Sequence, residues 1–97
     1  MHILISEGKS ELIINKSKFI GYSVIANSRE GFLARVREIK INNPSAGHAL
    51  YGLLIKKNTI EPHFSDDGEP SGTGGRPLIS ILGSKKIINA GLVVVRY

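Results

Sequence analysis

Apolar residues along this 97-residue chain recur at two different spacings, and the changes between them mark out its elements. "HILIS" (2–6) and "SELIIN" (10–15) flank Gly8 and read as short strands joined by a tight turn. "KFIGYSVIANS" (18–28) continues as a third β-type segment, with Phe19, Tyr22, Val24 and Ile25 supplying packing mass. Ser28 has the chemistry of an N-cap, and in "REGFLARVREIKI" (29–41) Phe32, Leu33, Val36 and Ile39 fall at helical spacing. Asn42, Asn43 and Pro44 then act as stop signals. "HALYGLLIKK" (48–57) reads as a buried strand, and "IEPHFS" (60–65) as its hairpin partner across Asn58 and Thr59. "RPLISILGS" (76–84) predicts a short helix, with Pro77 suited to its first turn and Gly83 to its end. "INAGLVVVRY" (88–97) has the β-branched content of a central strand. The order βββ–α–ββ–α–β predicts an α/β (α+β) two-layer sandwich, with two helices on one face of a mixed or largely antiparallel sheet.

The totals narrow the class. At this length the chain forms one domain over residues 1–97, and 41% hydrophobic with 22% charged residues is ordinary globular composition. Cysteine is absent, which excludes disulfides, zinc knuckles and thiol nucleophiles. No basic n-region leads into an apolar run, and "AGLVVV" (90–95) is too short to span a bilayer, so a soluble, cytoplasmic protein is expected. Thirteen Lys and Arg against eight Asp and Glu give a net charge of +5, compatible with an acidic partner such as RNA and equally with a merely soluble domain. Glu61, Asp66, Asp67 and Glu69 lie close together, so the remainder is more basic than the total, and Arg35, Arg37 and Lys40 form a candidate basic surface on the first helix. No aromatic is interleaved with the basic residues as in a base-stacking platform.

The segment "SDDGEPSGTGGRP" (65–77) concentrates candidate chemistry. Clustered glycines beside a helix start can expose backbone N–H groups to an anion, with Arg76 as a clamp. The specific nucleotide motifs fail, however. Arg76 and Pro77 stand where a P-loop needs Lys and Ser/Thr, and Gly72, Gly74 and Gly75 are wrongly spaced for a dinucleotide fingerprint. Asp66, Asp67 and Glu69 lack the pattern of a calcium loop, and no motif requires a metal or cofactor. His48 offers a general base, but no hydroxyl is marked as its nucleophile. Turn formation accounts for Asp67-Gly68 and Pro70, and an acid paired with Arg76 would close the loop.

That same segment resembles the signature D-D-G-E-P-S/G-G-T-A/G-G-R-P of the Impact family (the YigZ/Impact proteins). "KSKFIG" (16–21), "AGHALYG" (46–52), which aligns His48 and Tyr51, and "NAGLVVVRY" (89–97) are similar to further family blocks in the same order. Gly47 and Ala49 depart from the residues usual there. The resemblance implies a fold like the second domain of ribosomal protein S5, and no established catalytic residues. It implies binding in translation or its regulation, with the ribosome, RNA or a translation-linked protein as partner. His48, Asp66, Asp67, Glu69, Gly72, Gly74, Gly75 and Arg76 are then candidate binding positions. Family members continue past the R-Y with a glycine-rich turn and a helix, so a homo-oligomer or a second subunit supplying that segment is a further expectation. The competing reading is an enzyme or phosphate-binding protein in which His48 and Arg76 converge on one pocket.

Overall fold

A computed structural model of the protein describes residues 1–67 and 74–97. The elements run β1 (Lys9–Ile14), β2 (Ser17–Ile25), α1 (Arg29–Asn42), β3 (His48–Lys56), β4 (Ile60–Ser65), α2 (Gly75–Ser84) and β5 (Ala90–Arg96). The five strands form one sheet in the order β1-β2-β5-β3-β4. Every neighbouring pair is antiparallel. β5, the most β-branched segment, therefore lies at the centre, where both faces are covered.

Local chemistry explains most boundaries. β1 and β2 meet through a two-residue turn in which Asn15 (φ 49°) and Lys16 (φ 68°) are both left-handed, the geometry that matches strand twist. Ser28 Oγ accepts the Gly31 N–H at 3.1 Å and starts α1. Phe32, Val36 and Ile39 form the buried stripe of α1.

The expected strand at 2–6 does not form. This stretch makes a single parallel bridge, between His2 and Ile87, with His2 N–H donating to Lys86 at 2.7 Å. Glu7 Oε2 takes the Ile25 N–H at 2.7 Å, so a carboxylate ends the pairing of β2 where another strand would have continued it. Ile3 and Ile5 are consequently exposed rather than paired on a face.

The helices also do not share a face. On β3, Leu53 and Ile55 pack with Phe32 and Val36 of α1. Gly52 points the other way, where an added Cβ would lie 2.9 Å from Leu78 Cβ and 3.0 Å from the Gly75 carbonyl of α2. The missing side chain lets α2 lie directly on the second face of the sheet. Gly91 does the corresponding thing for α1, since its missing Cβ is where the Phe32 ring sits. The sheet is thus sandwiched between α1, over a core of Val24, Leu53, Ile55, Val93 and Val95, and α2. No helix among the described residues is long and apolar enough to cross a membrane.

Candidate functional site

The aspartates of the glycine-rich segment turn inward. Asp66 follows β4, and its Oδ1 accepts the N–H groups of Gly75 at 2.7 Å and Gly74 at 3.1 Å. It supplies the N-terminal cap that Gly74 itself, having no side chain, cannot give α2. Asp67, left-handed at φ 47°, directs Oδ2 to the Ala49 N–H at 2.6 Å. Its own N–H donates to Ser65 Oγ at 3.2 Å. Two adjacent carboxylates therefore hold the start of β3 and the start of α2 against the end of β4. The two sides of the intervening segment are pinched together. Glu69 and Gly72, expected at this site, lie outside the described residues.

His48 opens β3 beside Asp67. Its Nδ1 lies 2.9 Å from the Asp67 backbone oxygen, which can only accept, so Nδ1 carries the proton and Nε2 is the acceptor of the neutral ring. His48 and Asp67 line a cavity of about 260 Å³ with Lys40, Asn43, Pro44, Ala46, Gly47, Ala49 and Val95. Lys40 Nζ stands 3.9 Å from Asp67 Oδ1, beyond hydrogen-bond distance. Arg76 does not line this cavity. Its guanidinium sits over the Phe64 ring, 5.5 Å from the centroid, on the face occupied by α2. The structure brings together His48, Asp67 and Lys40, and leaves Arg76 apart.

The candidate basic surface divides too. Arg35 donates to Glu7 through both terminal nitrogens, at 2.9 and 2.8 Å. The Arg35 guanidinium, helped by the Ile25 N–H, holds the Glu7 carboxyl below the usual carboxylate range, and Glu7 in turn raises Arg35. Arg35 is thereby a tie between α1 and the N-terminal segment. Arg37 is exposed and Lys40 borders the cavity.

Sequence reasoning missed Asn43, which it read only as a helix stop. Asn43 is buried, with Nδ2 donating to Tyr22 Oη and to the Ile39 carbonyl, each at 2.9 Å, while its Oδ1 accepts the Tyr97 hydroxyl. This network ties β2, the end of α1 and the residue after β5 into one wall beside the cavity. The second Asn of "NNP" was its only trace in the chain. Among the described residues no three His, Asp or Glu side chains group to hold a metal ion.

Known proteins place this architecture. An IMPACT family member of Haemophilus influenzae is 38% identical over 86 residues, 87% of this chain and 42% of that protein. YvyE of Bacillus subtilis, an IMPACT family member, is 31% identical over 93% of this chain and 42% of its own. YigZ of Escherichia coli, another, is 33% identical over 87% and 42%. The chain thus spans well under half the length of these curated relatives. A solved structure described as a crystal structure of a hypothetical protein superposes with a TM-score of 0.92 at 30% identity, over 98% of this chain and 47% of that one. With the Impact N-terminal domain matching residues 15–97, which hold β2 to β5 and both helices, this chain belongs to the Impact family.

Proposed function

We propose that this chain is a binding module serving translation or its regulation, with the segment 65–77 as its recognition surface and the ribosome or its RNA as partner. One observation carries the reading. Asp66 and Asp67 are spent on backbone N–H groups at Gly74, Gly75 and Ala49, which holds both sides of the segment in a set geometry without building a reaction centre. Binding loops need a rigid frame, and this frame supports one. The net charge of +5 is compatible with a polyanionic partner. Impact membership supports the link to translation by resemblance alone. The enzymatic alternative needed His48 and Arg76 in one pocket, and Arg76 instead covers Phe64.

The test is capture from a lysate of the source cell, with and without nuclease, comparing wild type with Glu69→Ala/Arg76→Ala. These substitutions spare the two aspartate caps. Ribosomal subunits retained by wild type and lost by the double variant support the proposal. Capture that survives nuclease moves the partner to a protein. Equal capture by both proteins removes the segment from the interface.

A further inference from the structure

The two edges of the sheet are guarded differently. β4 carries Pro62, whose missing N–H interrupts the outward row of that edge. β1, at the other edge, has no proline, and its whole length is exposed. Leu12, Ile13 and Ile14 are 57%, 67% and 49% exposed. Ser23 N–H donates to the Gly8 carbonyl at 2.9 Å, and the two-residue turn closes on the pair Ile14 and Ser17. Both contacts turn the pairing groups of the even-numbered residues towards β2, so the N–H and C=O of Lys9, Glu11 and Ile13 point away from the sheet. Among the described residues no strand meets them. The side chains alternate as well. Lys9 lies over Tyr22 and Glu11 pairs with Lys18 on the α1 face, which leaves Ser10, Leu12 and Ile14 on the other face, with Leu12 opposite Phe19.

An exposed apolar edge of this kind is a template for another strand. A second copy of the chain fits if the edge complements itself about a two-fold axis. Only some registers do so. An axis at Lys9 or Glu11 sets like charges directly opposite each other. One at Ser10 leaves Ile13 and Ile14 outside the pairing. One at Ile13 sends backbone bonds to Asn15, which at φ 49° has already left the strand. An axis at Leu12 avoids all three faults. Glu11 and Ile13 then bond reciprocally, Leu12 meets Leu12 of the second copy, and Phe19 extends the apolar row on each side. We infer that β1 is a homodimer interface, in which two copies pair antiparallel about Leu12 and join their sheets into one. Both free edges of the joined sheet are then β4 with its Pro62, so assembly stops at the dimer. The inference is independent of the recognition segment, which begins at the end of β4 on the opposite edge.

It is tested by equilibrium sedimentation of the protein over a range of concentrations, in enough salt to screen the +5 on each copy. A reversible dimer is expected, dissociating on dilution because one short edge is a small interface. Leu12→Lys changes an exposed position, so its melt should stay close to the wild-type monomer, while two ammonium groups meet at the axis. It should weaken the dimer at least about tenfold. The chain has no cysteine, so single cysteines report the register. Across an antiparallel pair of the Leu12 type the Cα atoms lie about 4.5 Å apart, within the disulfide range of about 4.4–6.8 Å. Leu12→Cys should therefore oxidise to a covalent dimer. Ile13→Cys alone should not, because it faces Glu11, and mixing it with Glu11→Cys should restore cross-linking. A protein that stays monomeric at every concentration overturns the inference. So does a dimer that Leu12→Lys leaves intact, or oxidation as fast at Ile13→Cys as at Leu12→Cys.

Discussion

Asp66 Oδ1 accepts the Gly75 N–H at 2.7 Å, joining the end of β4 to the first turn of α2 across nine positions of sequence. The bond makes a residue that looks like a ligand contact into a helix cap. Asp66→Ala should lower stability by about 1 kcal/mol, the usual worth of an N-cap. For a domain of this size that is a fall of about 4–8 °C in Tm. Asp66→Asn, which keeps the accepting oxygen, should recover most of it in the same thermal melt.

The Glu7–Arg35 pair makes stability depend on pH. Arg35 and the Ile25 N–H lower the folded pKa of Glu7 from its ordinary 4.5, so the carboxylate contributes stability above that value. The contribution disappears as pH falls through the lowered folded value. Wild type should therefore melt above Glu7→Gln at pH 7, with the gap closing towards pH 3. Because Arg35 is partly exposed, added salt should narrow the gap at pH 7. A gap that widens in acid contradicts this account.

Gly91 faces the Phe32 ring, and a Cβ there would lie 2.2 Å from Phe32 Cε1. Phe32 is fully buried and has nowhere to retreat. Gly91→Ala should cost about 1–3 kcal/mol or more through overpacking. Chemical denaturation of Gly91→Ala/Phe32→Leu gives the check: the double variant should be more stable than the sum of the single effects predicts.

The β1–β2 turn places Lys16 at φ 68°, where a side chain is strained. Lys16→Gly removes about 1–2 kcal/mol of left-handed strain and adds about 0.5–1 kcal/mol of chain entropy cost. A small net gain in Tm is the expected result. Lys16→Val, β-branched, should lower Tm instead.

The periodicities read from the chain locate α1, β3, β4 and α2 to within a residue, because each carries its own apolar stripe and its own stop signal, whereas β2, read as 18–28, ends at Ile25. Ser28 is legible as a cap since the group it satisfies, Gly31 N–H, is three residues away. The strand expected at 2–6 fails for the opposite reason: its alternation is real, but the pairing position is taken by Glu7, held by Arg35 from 28 positions further on.

The candidate site divides along the same line. The glycine-rich segment announces itself by composition and by its family signature, and His48 by its block. That Asp66 caps α2, that Asp67 clamps Ala49 and holds His48 in one tautomer, and that Asn43 ties Tyr22 to Tyr97 are matters of distance between remote positions.

By itself the sequence determines both helices, the strands from β2 onward, the β3–β4 hairpin and the family, all of which depend on spacing and on neighbours along the chain. The tertiary structure decides which face each helix covers and which carboxylates face inward. Those outcomes depend on missing side chains at Gly52 and Gly91 and on backbone N–H groups that need partners once buried, and neither acquires meaning until the strands are side by side.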